Sequence, residues 1–335
     1  MTYPTPKSKS SISRRSAMFA LTSLATAAAL PAMAQTYPER PIKLVVPYTA
    51  GGATDVIGRV VGLQLATALG QPVVVDNRAG AAGNLGAAFV AREKPDGYTL
   101  LLGALTSHSI NSVLQPTTAG FEMEKSFTPI SVVGRVPLVV TVGPSVKATN
   151  LKELIALAKS KPDGLNYGSS GNGSPQHLAA ELFKRQANVK ITHVPYKGSS
   201  QALNDLMGGQ IDVVFDTLSA TQAFIKGGKL RALAVTTPTR QAAIPDVPTA
   251  AEAGLTNFEI TSMFGVLGPA GLPEPVLAKL SAALKDVMDK EEMKDSLLAQ
   301  GASPVYTTPA ETRQQIKAEV ARWSKVINDA SIKAD

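Results

Sequence analysis

Short apolar stretches alternate with amphipathic helical stretches along nearly the whole of this chain, and that alternation constrains the fold before any motif is considered. Strands that feed helices and then further strands give layered α/β architecture around mainly parallel sheets. Residues 42–46 open the series, and Pro47 to Gly52 break it. A helix is predicted over 54–69, with Val56, Val60, Leu63 and Ala66-Thr67 along one side and Gly70 as its stop. Strands at 73–75 and 98–102 flank a short helix over 84–92.

Further on, Asn150 with Glu153 three residues later marks a capped helix start. Strands near 165–168, 191–194, 211–215 and 230–236 alternate with helices over 175–186 and 200–207. Residues 244–248 read as a surface connection, 260–267 as a strand returning to the first domain, and Pro273 as the start of C-terminal helices. Trp323, the single tryptophan, is predicted to pack in the core. The apolar stretch 132–142 contains Pro137, which has no N–H for a ladder and so disfavours a central sheet position. It is predicted to pass between two domains.

The first 34 residues are set apart. Lys7, Lys9, Arg14 and Arg15 precede an apolar run from Ala17 to Leu30, and Ala32-Met33-Ala34 fits a small-x-small cleavage pattern, so the mature chain is expected to begin near Gln35. The run is shorter than the roughly 20 residues that cross a bilayer as a helix. The secretory route is expected, with Ser13-Arg14-Arg15 leaving a twin-arginine route open. Loss of these four cations lowers the formal charge from +7 to +3. No block of Lys or Arg suggests nucleic acid. The absence of cysteine excludes disulfides, thiolate metal sites and cysteine nucleophiles. About 300 mature residues suffice for two domains.

Two loops join a strand to a helix start and are rich in Gly, Ser and Thr: Tyr48 to Asp55, and Gly168 to Pro175. The first N–H groups of a helix lack partners within it, and its dipole places about half a positive charge there. Glycines let a ligand approach the backbone, so each loop suits a carboxylate or phosphate. Ser174 suits an N-cap and Pro175 the first turn, while Ser169 and Ser170 add hydroxyls. A single such loop can equally serve only to turn the chain. Two of them, half a chain apart, are better explained as facing each other.

Neither loop carries a dinucleotide or P-loop signature, and no Gly-x-Ser-x-Gly elbow occurs. His108, His177 and His193 stand apart in sequence without metal-ligand spacing, so no metal or cofactor is expected. Asp216, followed by Thr217, ends a strand where α/β ligands bind. It could receive a ligand amino group, hold water or backbone donors, or cap the next helix.

These residues resemble the substrate-binding proteins of tripartite tricarboxylate transporters, the Bug family of periplasmic solute receptors. The resemblance spans the mature chain. It rests on residues 37–42, Pro47 with Gly51 to Asp55, residues 75–78 with 80–83, residues 94–98, Asn166 to Ser174 with His177, residues 193–198, residues 245–249 and Glu252-Ala253-Gly254. It implies a two-lobed periplasmic binding protein of type II-like α/β fold, with the ligand in the interdomain cleft. Lobe 1 would comprise 35–137 and 261–335, and lobe 2 would comprise 138–260.

By position, the resemblance implies ligand contacts from Tyr48, Thr49, Gly51, Gly52, Asp55 and Ser107 in lobe 1. From lobe 2 it implies Ser169, Ser170, Gly171, Gly173, Ser174, Asp216 and Thr217. The family pattern at 48–50 is Phe followed by Pro or Ala, so the hydroxyls of Tyr48 and Thr49 are expected at the pocket edge. The implied ligand is a small organic carboxylate: a di- or tricarboxylate, an acidic amino acid or an aromatic acid. The implied protein is a monomer without catalytic activity, and its partners are membrane permease subunits. Presentation of the ligand to a sensor kinase, or hydrolysis through His177 with Ser174 or Asp216, are the alternatives.

Overall fold

Ten strands form one continuous sheet whose two ends repeat the same arrangement. The computed structural model describes residues 1–3, 5, 37–161, 164–329 and 332–333. The export segment expected over residues 1–34 lies almost entirely outside them. Residues from Pro38 onward fold as one unit.

At one end, β1 (Ile42–Val46) lies between β2 (Val73–Asn77) and β3 (Thr99–Ala104), all parallel. At the other, β5 (Asn166–Ser169) lies between β6 (Thr192–Pro195) and β7 (Val213–Thr217), again parallel. Each end is therefore a small doubly wound unit in the order 2-1-3, an arrangement that opens a crevice at the carboxyl ends of its strands.

Helices complete the repeat. In the first unit these are α1 (Ala53–Leu69), α2 (Asn84–Ala91) and α3 (Leu105–Leu114). In the second they are α5 (Pro175–Ala187), α6 (Ser199–Met207) and α7 (Leu218–Lys226), preceded by α4 (Leu151–Ser160).

Two antiparallel strands join the ends. The long strand β4 (Phe127–Val142) pairs with β9 (Thr261–Pro269) as far as Pro137. From Leu138 it pairs instead with β7, and from Val139 with β8 (Arg231–Val235). Pro137 thus lies inside a central strand, against the sequence expectation. It is tolerated because it sits where the pairing changes partner, and the next N–H, of Leu138, donates to Thr236 Oγ1 at 3.0 Å. The short β10 (Ser303–Pro304) also pairs with β4.

The face that α1 buries is another correction. Its packed side carries Ile57, Gly58, Val61, Gly62 and Leu65, while Leu63 is 69% exposed. Gly58 decides the face: a Cβ there would lie 2.8 Å from Val46 Cγ2, so only glycine lets α1 approach β1 this closely. The helix α3 was not anticipated, because Leu-Thr-Ser-His-Ser-Ile-Asn-Ser is rich in residues that compete with the helical backbone for hydrogen bonds.

Helices α8 (Glu274–Met288), α9 (Glu291–Ala299) and α10 (Pro309–Asp329) end the chain. Ile316 of α10 packs in the core beneath β3 and β4, whereas Trp323 and Ile327 pack with Phe183 and Phe215 in the core of the second unit. The last helix therefore straps both cores. Trp323 is buried as expected, and its indole N–H donates to Glu319 at 3.0 Å. Among the described residues no helix is long and apolar enough to cross a membrane.

Candidate functional site

Five helix starts converge on a single enclosed cavity at the carboxyl ends of the two parallel units. Its lining comes from the β1–α1 loop (Tyr48, Gly52, Ala53, Thr54), the start of α3 (Ala104), the β5–α5 loop (Ser170, Pro175, Gln176), the start of α6 (Ser199) and the start of α7 (Thr217). Ser262 and Phe264 of β9 close it from behind. The two glycine-bearing loops do face each other.

The cavity measures about 20 Å³, which is room for about one water molecule. A larger space of about 720 Å³ lies outside it, bounded by Ala82, Gln115, Gly171, Tyr196 and Lys197 among others. Ser170 lines the inner cavity and Gly171 the outer, so one loop walls both. Size favours the outer space, but the convergent helix starts lie on the inner one, and its chemistry is the more specific.

The electrostatics of those starts set them apart. Among the described residues, α1, α3, α6 and α7 have no side chain capping their first N–H groups. Helices α3, α5, α6 and α7 also have no acidic residue in the first turn. Their dipoles point at the cavity uncancelled, and such ends attract an anion. In α5, Ser174 caps the N–H of His177 at 3.2 Å, as the sequence predicts, which leaves the N–H of Gln176 at the wall.

The α1 start has an acid, Asp55, and it is turned away. Its carboxylate accepts from Gly51 N–H (3.0 Å), Arg59 (3.0 Å) and Asn77 (3.0 Å). Burial pushes the Asp55 carboxyl up, but the bonds from Arg59, Gly51 and Asn77 together outweigh it and hold the group below its ordinary value. Asn77 also donates to Tyr48 O at 3.0 Å, so Asp55 and Asn77 fix the shape of the loop.

Of the residues implied by resemblance, the structure brings Tyr48, Gly52, Ser170 and Thr217 to the lining. Gly171 lines the outer space. Thr49, Gly51, Asp55, Ser107, Ser169, Gly173, Ser174 and Asp216 are in the lining of neither space. The hydroxyls of Tyr48 and Thr49, expected at the pocket edge, are both engaged within the protein. Tyr48 Oη lies 2.8 Å from Ala82 O and 2.9 Å from Ser107 Oγ, and burial raises its pKa. Thr49 Oγ1 reaches Ser200 Oγ at 2.9 Å, tying the first unit to the second. Gly198 allows this approach, since a Cβ there would overlap Thr49 Oγ1.

The second loop is braced by histidines. Gly173 N–H donates to His177 Nδ1 at 3.2 Å, and Ser169 Oγ lies 2.6 Å from His193 Nε2. The two imidazoles stack with centroids 4.4 Å apart. His108 is buried behind Gly83 and Gly103, and burial pushes its pKa down to about 3, so it stays neutral. Among the described residues, no group of three or more potential ligating side chains could hold a metal ion.

Asp216 is wholly buried, and its Oδ1 accepts from Thr217 N–H (2.7 Å), Gln176 Nε2 (2.9 Å) and Ser199 Oγ (2.9 Å). Burial raises its pKa, and these bonds oppose the rise without cancelling it. Gln176 and Ser199 were missed by sequence reasoning, because neither belongs to a glycine-rich motif. Their one signal was position, in the first turn of a helix that follows a parallel strand.

The fold is that of an α/β solute-binding protein, with an enclosed cavity between two doubly wound units. The chain belongs to the family described as the tripartite tricarboxylate transporter family receptor, whose model matches residues 57–332. It is 38% identical over 306 residues to the protein BugT of Bordetella pertussis, covering 91% of this chain and 94% of that one. A Rhodopseudomonas palustris protein solved with adipate superposes with a TM-score of 0.86 at 38% identity, covering 89% of this chain and 99% of that one. MatC of the same organism, solved with bound malate, gives 0.83 at 33% identity, with 87% and 100% covered. The fold is thus that of periplasmic binding proteins.

Proposed function

We propose that this chain is exported to the periplasm and captures a small organic carboxylate for a tripartite tricarboxylate-type transporter. The carboxylate sits against the N–H groups at the starts of α1, α5, α6 and α7. The observation that carries this reading is the convergence of uncancelled helix starts on one cavity. It agrees with the adipate and malate bound by two relatives, both dicarboxylates.

Residues 35–137 with 261–335 act as one lobe and 138–260 as the other, with α10 strapped across both. With room for about one water, the cavity must open to admit a ligand and close over it, which is a shift between populated states. The closed form docks on permease subunits. No reaction follows capture: His177 Nδ1 is taken by Gly173 N–H, and Asp216 is engaged by Gln176, Ser199 and Thr217, so neither is set to activate Ser174.

Titration of the chain beginning at Gln35 with succinate, adipate, malate, citrate, aspartate and benzoate tests this. At least one acid is expected to raise the melting temperature, by about 2.7 kcal/mol of stabilisation at one hundred times its Kd. It is also expected to be recovered chemically unchanged. No response to any of them would contradict the reading.

A further inference from the structure

The side chains on the second-unit wall of the cavity are polarised in one direction, and that direction constrains the ligand beyond its carboxylate. Thr217 N–H can only donate, so Asp216 Oδ1 is an acceptor. Gln176 must therefore turn its Nε2 toward Asp216, at 2.9 Å, which leaves its Oε1 to accept from Ser170 Oγ at 3.1 Å. Ser199 Oγ donates to Asp216 Oδ1 at 2.9 Å, and Thr217 Oγ1 donates to it at 3.3 Å.

Each hydroxyl has one proton and two lone pairs. The protons of Ser170, Ser199 and Thr217 are all committed behind the wall, yet all three residues line the cavity. Ser199 Oγ also accepts from Gln176 Nε2 at 3.4 Å, so what Ser199 has left to offer is one lone pair, and what Ser170 and Thr217 offer is likewise lone pairs. Main-chain N–H groups at the helix starts supply the donors that a carboxylate needs, so the same cavity has a donor set and a separate acceptor set. A ligand with carboxylates alone would leave the acceptor set facing an anion, which costs binding energy.

We infer that the ligand of this site carries, beside its carboxylate, a hydrogen-bond donor, either a hydroxyl or an ammonium group, which Ser170, Ser199 and Thr217 receive with Asp216 holding their polarity. Asp216 is a positioning residue here: it acts through the hydroxyls. The inference rests on the carboxylate-capture reading above and adds selection by the second group.

Matched acids separate the two. Succinate, malate and aspartate differ only in hydrogen, hydroxyl or ammonium at one carbon; adipate with its 2-hydroxy and 2-amino analogues, and benzoate with 4-hydroxybenzoate, extend the comparison to longer and aromatic acids. By calorimetry, at least one donor-bearing acid is expected to bind about tenfold or more tightly than its matched parent. Whether hydroxyl or ammonium gives the larger ratio identifies the donor. Asp216→Asn, whose amide can donate and so releases the relay, is expected to bring that ratio close to one. Ser170→Ala, which removes one acceptor and leaves Asp216 untouched, is expected to lower it in the same direction. Parent acids that bind as tightly as their donor-bearing partners would overturn this inference and leave carboxylate capture standing. A ratio unchanged in both variants would also overturn it. Failure of every acid to bind would remove the capture reading itself.

Discussion

Helices that start beside the cavity and helices that start on the outer surface treat their first turns in opposite ways. On the outside, α4, α8, α9 and α10 each place an exposed Glu there: Glu153, Glu274, Glu291 with Glu292, and Glu311. In α4 the cap is complete, since Asn150 accepts from Glu153 N–H at 3.0 Å and Glu153 accepts from Thr149 N–H at 2.7 Å. Around the cavity α3, α5, α6 and α7 have no such acid, and the one in α1 is bound by Arg59, Asn77 and Gly51; α2, which starts away from the cavity lining, is the one other α-helix among the described residues without a first-turn acid. An outer helix neutralises its own dipole for stability, whereas a cavity helix keeps it for something else. Four missing acids and one diverted acid make a positive site without a lysine or arginine in its lining.

The comparison is broken most severely by placing an acid where none stands. Gln176→Glu puts a carboxyl on the first turn of α5 at hydrogen-bond distance from Asp216, which removes the Nε2 donor to Asp216 and lets the two acids ionise together only at a cost. Carboxylate affinity is expected to fall about 100-fold or more, as measured by calorimetry. Next comes the diverted acid. Asp55→Ala removes the bonds to Gly51, Arg59 and Asn77 and is expected to cost about 1–3 kcal/mol of stability in urea unfolding.

Because the folded-state pKa of Asp55 is held down, its contribution is present above the ordinary carboxylate pKa and is lost as pH falls through the depressed value. Asp216 has the opposite sign. Its pKa is raised, so the fold takes up a proton more readily than the unfolded chain does, and this site adds stability as pH falls from neutral through the raised value. Asp216→Asn is expected to flatten that rise in melting temperature against pH. The smallest effect on function is expected outside: Asn150→Ala should cost about 1 kcal/mol of stability and leave ligand affinity unchanged.

Much of this was legible in the residues. Alternating strand and helix patterns located the parallel strands to within a residue or two, and the caps at Asn150 and Ser174 follow from short polar side chains just before helical runs. The packed side of α1 was not legible from apolar periodicity, because both of its stripes are apolar. Gly58 carried the answer, as the residue small enough to meet β1. For the cavity, glycine-rich loops revealed two of the five helix starts. Ser199 and Gln176 look ordinary in sequence and matter only because the 2-1-3 strand order repeats in both units and brings the starts of α1, α3, α5, α6 and α7 to one crevice. Asp55, a candidate contact by resemblance, is engaged by Arg59 one helical turn on, a pairing the i,i+4 spacing makes available.

The most direct measurement is a crystal structure of the chain with its tightest-binding acid from the titration. The predicted result is a carboxylate within hydrogen-bond distance of N–H groups at the starts of α1 and of at least one of α5, α6 and α7. A carboxylate held instead in the outer space beside Lys197, with the inner cavity unchanged, would contradict the role given to the helix starts.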